Sequence, residues 1–476
     1  TNAKGEGISP AYLIGSIRNL YPKLEIEGGA GVRPHKISIN NYYYPENPEA
    51  GIDLFLEKLA QETEKNHEDI LEQADETDAV FGELYSWYLR NPEYRSRVQK
   101  LVQSAFAGKP KDIISQSVAK ALYGEVSPYS ATRLERFAAC AFAHFLQYGM
   151  KLTERVEYEF KPMDMGNVMH EALESFAEEV RKRGMKWTEL TEQERNEIAD
   201  WCLDNIVADY GNTVLKSSAR NEYMIERTRR ILRRTVWALQ KQLEQGEFQP
   251  EGFEVTFGGG RIDRVDIMED QNKVYVKVID YKTGNTSFDL VYLYHGLQLQ
   301  LMIYLDGALR VEQKKYPDKE IIPAGVFYYN IKDPMIQEKI DADVEAVSAG
   351  LMKELKMNGL VQADPELVYR MDSSLGSIPV AFNKDGSFRK NSSVADRTQF
   401  AVLGRYVRTK IEKIRSSILE GDAEVSPYEL GKKNACTYCP YMTVCGFDRR
   451  LSGYEFRRLK NFSDEELWKA FDREAE

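Results

Sequence analysis

Two segments carry acidic and basic side chains inside apolar, alternating runs: Gly260-Arg261-Ile262-Asp263-Arg264-Val265-Asp266 and Val278-Ile279-Asp280-Tyr281-Lys282-Thr283-Gly284. Side chains on a β-strand alternate faces, so Asp280 and Lys282 point the same way and Tyr281 points away. A hairpin turn centred on Asp270-Gln271 puts residue 263 opposite 278 and residue 261 opposite 280. Asp263 and Asp280 then share a face as diagonal neighbours about 7–8 Å apart at the backbone, a span that one cation bridges. Asp266 falls on the other face, roughly 17 Å from Asp280 in that register. Two hard carboxylates completed by water suit Mg²⁺ or Mn²⁺. Such an ion lowers the pKa of a ligated water and takes up charge on a phosphoryl oxygen, while Lys282 orients the water; phosphodiester hydrolysis needs these effects. A surface Asp–Lys pair is common and by itself contributes little. This one ends an apolar strand, follows a Gly-x-Ile-Asp strand and lies downstream of His170, which the pattern places in the first turn of a helix.

A second group is made of thiols. Cys436-x-x-Cys439-Pro440 followed by Cys445 sets three within ten positions, the spacing of a soft metal site holding either tetrahedral Zn²⁺ or an iron–sulfur cluster. A fourth ligand must come from elsewhere, and Cys140, at the end of Phe137-Ala138-Ala139-Cys140, is the candidate. Joining it to the tail would clasp everything between. Cys202, among Trp201, Leu203 and Ile206, reads as a small core residue. His35 and His67 have no ligand-type residues clustered around them and read as surface histidines.

These groups need a scaffold. Residues 1 to about 125 mix helical patterns with Gly- and Pro-rich breaks. The stretch from Gly124 to Ser130 reads as a boundary, because Ser130 can cap a helix starting at Ala131. Residues 130–149 predict one aromatic-rich helix, and a second begins at Gly166 with Met169, Leu173, Phe176 and Val180 on one face. From Ile225 to Lys241 the helical pattern is strongly basic. Arg227, Arg230 and Arg234 there, with Lys432 and Lys433 in the tail, are candidates for contacts to a nucleic-acid backbone; a solvated charged face is the plain alternative. After residue 252 the period changes to alternation, predicting strands over 253–257, 260–267 and 273–282. A helix over 292–309, a strand over 322–330 and helices over 334–359 and 398–421 follow. The class is α/β, a mixed central sheet flanked by helices, preceded by a helical N-terminal region.

Composition narrows the alternatives. The 476 residues suggest about three domains, and 42% hydrophobic with 29% charged residues is ordinary globular usage. No apolar run reaches the roughly 20 residues of a membrane helix, so no membrane is expected as a partner. A net charge of −11 argues against indiscriminate nucleic-acid binding and leaves a local basic stripe free to do so. Five cysteines, an odd number, argue for a reducing, cytoplasmic setting over a disulfide framework. No Gly-x₄-Gly-Lys-Ser/Thr loop occurs, so ATP hydrolysis is not assigned to this stretch. The start at Thr1, without Met or a signal segment, reads as a piece of a longer polypeptide.

Four motifs in order, Gly166-x-x-x-His170-x-x-Leu173, Gly260-Arg261-Ile262-Asp263, Asp280-Tyr281-Lys282 and Gln300-Leu301-x-x-Tyr304, resemble the RecB-like branch of the PD-(D/E)xK nuclease superfamily. The resemblance implies a restriction-endonuclease-like core. It makes His170, Asp263 and Asp280 ligands of Mg²⁺ or Mn²⁺, adds the Tyr281 carbonyl as a further ligand, and makes Lys282 the catalytic lysine. Gln300 and Tyr304, four apart on a helix, would orient the active site and the nucleic acid. One Cys before these motifs and Cys-x₂-Cys-x₅-Cys after them resembles superfamily members with a [4Fe–4S] staple, implying such a cluster on Cys140, Cys436, Cys439 and Cys445. The segment Ser130-x-x-Arg133-Leu134-Glu135-x-Phe137-Ala138-x-Cys140 and the wording of 260–266 and 298–304 are most similar to bacterial AddAB-type helicase–nucleases, from about residue 127 to 450.

That family implies residues 1–126 as the end of an inactivated helicase part and 127–476 as a nuclease domain. It also implies an AddA-type helicase–nuclease partner in a heterodimer, and DNA, single-stranded and as duplex ends, as the substrate. Its function would be cutting the 5′-ended strand during double-strand break resection and recombination repair. Two rivals stand beside it: a noncatalytic DNA-end-binding scaffold, against which the intact Asp263, Asp280 and Lys282 speak, and a short free-standing nuclease, against which the leading 125 residues speak.

Overall fold

The chain divides into two compact units, Thr1–Gly108 and Lys109–Glu476. The computed structural model describes residues 17, 19–22, 48–64, 76–105, 113–124, 130–153, 162–209, 218–258, 260–336, 343–451 and 453–475. His35, His67 and most of the expected boundary, residues 125–129, lie outside these. In the first unit, α1 (Pro48–Glu64), α2 (Glu76–Arg90) and α3 (Pro92–Ala105) close over Ile52, Phe55, Leu59, Tyr88 and Val98.

The second unit opens with α4 (Gln116–Tyr123) and α5 (Ala131–Ala139). Ser130 caps α5, its hydroxyl accepting from the Arg133 amide at 3.3 Å. The single helix expected over 130–149 is in fact broken: Cys140 is extended at φ −165°, and the chain resumes as α6 (Ala141–His144) and a π-turn to Gly149. Next come α7 (Pro162–Lys182), α8 (Glu192–Asp209) and α9 (Ala219–Glu244). Because α7 starts at Pro162, His170 lies in its third turn, two turns deeper than the sequence pattern suggests.

The alternating segment forms β1 (Gln249–Phe257), β2 (Gly260–Asp270) and β3 (Lys273–Lys282), all antiparallel. The chain crosses over through α10 (Leu290–Tyr294) and α11 (Gln300–Lys315) to β4 (Glu320–Asn330), parallel to β3. The helix expected over 292–309 is thus two, with Gly296 at φ +78° between them. After α12 (Val344–Glu354), which ends short of the residue 359 expected for that helix, comes β5 (Asn358–Gln362), a strand the sequence pattern does not predict. Gly359 explains the strand: a Cβ there would stand 1.9 Å from the Val326 carbonyl oxygen, so a side chain would forbid the close pairing with β4. Following α13 (Pro365–Met371), β6 (Val394–Ala395) completes a six-stranded mixed sheet in the order β1-β2-β3-β4-β5-β6. Then come α14 (Arg397–Glu420), β7 (Tyr428–Leu430), β8 (Lys433–Asn434), the short α15 (Met442–Cys445), β9 (Arg457–Arg458) and α16 (Asp464–Ala475).

Helices cover both faces, as the α/β class requires. On the back, Met169, Leu173 and Phe176 of α7, Cys202 of α8 and Leu239 of α9 pack against Ile279 and Tyr281. On the front, Leu134 of α5, Leu301 and Leu305 of α11, Leu403 of α14 and Phe471 of α16 pack against Val276 and Val278. No helix among the described residues is long and apolar enough to cross a membrane.

Candidate active site

The turn between β2 and β3 is Gln271-Asn272, with Gln271 at φ +42°. It lies one residue beyond the expected centre, which corrects the register: Val265 faces Val278 and Arg264 faces Ile279, where the ladder ends, and the same register carried one residue further sets Asp263 against Asp280 as a direct neighbour rather than a diagonal one. Both stay on the expected face. On the other side of β2, Phe253 faces Arg264 and Val255 faces Ile262, which sets Glu254 opposite Asp263. Glu254, Asp263 and Asp280 therefore form a row across three adjacent strands, where cross-strand neighbours sit about 4.5–5.5 Å apart. Like charges placed so oppose folding unless something neutralises them.

His170 reaches the row from α7. Its Nδ1 is 3.4 Å from Asp263 Oδ2 and 3.7 Å from Glu254 Oε1, and ligand atoms of these three residues lie within 4.8 Å of one another. Glu254 takes φ +48° just after a bulge between Pro250 and Gly252 and is also paired by Arg261. Sequence reasoning misses this residue; counting back from the tight turn between Phe257 and Gly260 is the signal that places it opposite Asp263.

At the other end, Lys282 Nζ is 2.5 Å from Asp280 Oδ2 and donates to Gln300 Oε1 at 2.8 Å. Gln300 Nε2 donates in turn to the Tyr304 hydroxyl at 2.9 Å. The backbone N–H of Tyr281 donates to Asp263 Oδ2 at 2.7 Å, while the Tyr281 ring goes to the back core. The loop after Lys282 is held by two amides that the sequence pattern does not reveal: Asn330 Oδ1 accepts from the Thr286 N–H and Asn358 Oδ1 from the Phe288 N–H.

Burial pushes the Asp263 carboxyl up to about 7, and the Asp280 carboxylate beside it adds to the effect. Burial also raises Asp280, against the pull of Lys282. Burial would lower His170, but Glu254 and Asp263 outweigh it and hold the imidazole above its usual value. The site gathers three carboxylates and an imidazole beside the Lys282 ammonium and the exposed Arg261 guanidinium.

Asp266 sits on the back, as expected. Arg264 donates to both its oxygens, at 2.5 and 3.0 Å, and Lys277 Nζ is 2.9 Å away. Arg264 also lies against the rings of Trp187 and Phe253.

Cys140, Cys436, Cys439 and Cys445 line one cavity, together with Phe142 and Tyr441. Cys140 gets there because the break between α5 and α6 turns it out of the helix. Asn434 Oδ1 accepts from the Cys436 and Thr437 amides, which shapes the other loop. Burial and the three neighbouring thiols push Cys436 up to about 12. Of the basic residues, Arg227 is exposed, Arg230 pairs with Asp333 at 2.6 Å, and Arg234 lies over the Trp237 ring. Arg229 and Arg233 of the same helix are taken up by Asp200 and Asp204 of α8. Lys432 and Lys433 are exposed, with Lys433 over Tyr292.

A helix-flanked mixed sheet with carboxylates and a lysine at the end of its central strands is a nuclease architecture, and the chain belongs to the PD-(D/E)XK nuclease superfamily, whose family profile matches residues 128–446. More narrowly, it is similar to the ATP-dependent helicase/deoxyribonuclease subunit AddB of Lachnoclostridium phytofermentans, 38% identical over 499 aligned residues covering 100% of this chain and 41% of that protein. The same-named subunit of Alkaliphilus metalliredigens is 34% identical over 83% of this chain and 37% of its own length. That of Thermoanaerobacter sp. is 30% identical over 99% of this chain and 42% of its own length. The chain spans about two fifths of the length of these curated relatives.

Proposed function

We propose that this chain is the nuclease part of an AddB-type subunit and hydrolyses phosphodiesters of DNA in a metal-dependent reaction. The row of Glu254, Asp263 and Asp280, with His170 at one end and Lys282 at the other, carries this reading. A divalent cation such as Mg²⁺ or Mn²⁺, held by His170, Glu254, Asp263 and Asp280 with the Tyr281 carbonyl as a further ligand, would supply Lewis acidity toward a phosphoryl oxygen and a lowered pKa for the attacking water. The donor set fits: a hard cation offsets the burial, and the lesser repulsion between carboxylates, that raise Asp263 and Asp280. Lys282 donates to Gln300 and stands in ion-pair contact with Asp280, which fixes its direction and leaves ammonium N–H for the water or a phosphoryl oxygen. Gln300 and Tyr304 hold that lysine in place, and preorganisation of this kind lowers the barrier without contributing a ligand. Arg227, Arg230, Arg234, Lys432 and Lys433 serve as backbone contacts along which single-stranded DNA reaches the sheet.

The four cysteines would hold a [4Fe–4S] cluster. Mutual electrostatic opposition among the thiols fits a cationic inorganic core that lets them ionise. Iron and acid-labile sulfide in anaerobically purified protein, bleached by Cys140→Ser, would bear this out; zinc without iron would contradict it.

In the whole protein the subunit would pair with an AddA-type helicase–nuclease in the cytoplasm and cut the 5′-ended strand of unwound duplex ends during break resection and recombination repair. The test is Mg²⁺-dependent digestion of strand-labelled duplex by the heterodimer. Asp280→Ala should abolish the cut on the 5′-ended strand and leave DNA binding largely intact. Survival of that cut would show the site to be misassigned.

A further inference from the structure

The first amides of α11 are capped from a distant part of the chain. Leu299, at the N-cap position, has no side chain able to accept a hydrogen bond, yet the first N–H groups of a helix need partners. Glu135 of α5 supplies them: its Oε1 accepts from the Leu299 N–H at 2.7 Å and from the Gln300 N–H at 3.0 Å. Gln300 is the residue whose side chain meets Lys282 at 2.8 Å and Tyr304 at 2.9 Å. A continuous path therefore runs from the Glu135 carboxylate through the Gln300 backbone and side chain to the Lys282 ammonium and on to Asp280. Burial pushes the Glu135 carboxyl up to about 7, against the pull of the two amides.

The other end of α5 is fixed to the cysteine region. Arg457 donates to the Ala138 carbonyl, Cys140 follows two residues later, and the Phe142 N–H donates to the Glu424 carbonyl at 2.9 Å. Glu135 thus stands five residues before a cavity-lining thiol and against the first turn of the helix that aims the lysine.

The geometry points to Glu135 as a positioning residue for the nuclease reaction: it anchors the Leu299 and Gln300 amides so that the Gln300 side chain presents its oxygen to Lys282, and it ties the cysteine-bearing segment to that lysine. This inference rests on the nuclease reading above. A misplaced group of this kind costs on the order of 10–100-fold in turnover. In the full-length protein at saturating Mg²⁺ and DNA, Glu135→Ala should lower turnover by about that factor. Glu135→Asp should lose about as much, since the oxygens withdraw by a methylene, and Glu135→Gln should keep turnover within about fivefold, because its carbonyl still accepts both bonds and only the charge is lost. Hydrogen exchange at the Leu299 and Gln300 amides should rise in the Ala and Asp variants and stay low in Gln. In a Gln300→Ala background, Glu135→Ala should add no further loss, as residues on one path are not additive. Wild-type turnover in both Glu135→Ala and Glu135→Asp, or losses that multiply in the double variant, would overturn the assignment. Failure of the nuclease reading would look different: Asp280→Ala would still cleave, whatever the amide exchange at Leu299 and Gln300.

Discussion

The two faces of β2 and β3 place carboxylates three residues apart in opposite circumstances. Asp263 and Asp266 are both buried on the same strand. On the back, burial would raise Asp266, but Arg264 and Lys277 outweigh it and hold its carboxyl below the usual range. On the front, burial and the carboxylate of Asp280 push Asp263 the other way, to about 7. On the back two buried cations, Arg264 and Lys277, converge on the one carboxylate of Asp266, and an arrangement like that holds a fold. The front sets the three carboxylates of Glu254, Asp263 and Asp280 against the Lys282 ammonium and the exposed Arg261 guanidinium, with the His170 imidazole between, and burial still raises two of the three carboxyls, which a further cation would offset. Burial alone therefore does not separate a structural acid from a functional one; the local balance of charge does.

Four outcomes would sharpen or break this contrast. The largest is on the front: Asp280→Ala should lower cleavage of single-stranded DNA by on the order of 10³-fold or more, the several kcal/mol of charge stabilisation assigned to a metal site. On the back, Asp266→Ala should destabilise the fold by about 3–5 kcal/mol in urea unfolding, because it strands two buried cations. A smaller effect tests the missing charge: Mn²⁺ at a hundredfold its dissociation constant should stabilise the wild type by about 2.7 kcal/mol and leave Asp263→Asn unmoved. Smallest, Asp263→Asn without metal should be more stable than wild type by about 0.5–2 kcal/mol, the usual return for removing a strained functional group. Equal destabilisation by Asp263→Asn and Asp266→Asn would erase the distinction between the faces.

The back face also sets a pH dependence. Since the folded value of Asp266 lies below its unfolded one, the stability it contributes is complete above about pH 4 and drains away as pH falls through the folded value. The stability difference between wild type and Asp266→Asn should accordingly shrink in acid unfolding below about pH 4.

Much of the front face is legible in the amino-acid sequence. Strand alternation alone puts Asp280 with Lys282 and sends Tyr281 away, and the helical spacing of Gln300 and Tyr304 gives their shared face. The register does not follow, because several polar residues, Glu269 to Asn272, could each begin the turn and only the backbone at Gln271 decides among them. Glu254 escapes notice because its pairing with Asp263 follows only from the Phe257–Gly260 end of β1, and its positive φ interrupts the plain alternation along the strand. The break at Cys140 and the strand at Gly359 are hidden because their causes are distant: a cavity shared with residues 436–445 and the backbone of Val326. The basic pattern of α9 overstates its free charge, since α8 supplies Asp200 and Asp204 to Arg229 and Arg233.

The central claim is that the front row binds a divalent cation. Titration calorimetry of Mn²⁺ into metal-free wild type and into the Asp263→Asn, Asp280→Asn double variant tests it without depending on turnover. Binding is expected in the wild type and should disappear in the double variant, while far-ultraviolet circular dichroism of the two proteins coincides. Equal Mn²⁺ affinity in both proteins would contradict it.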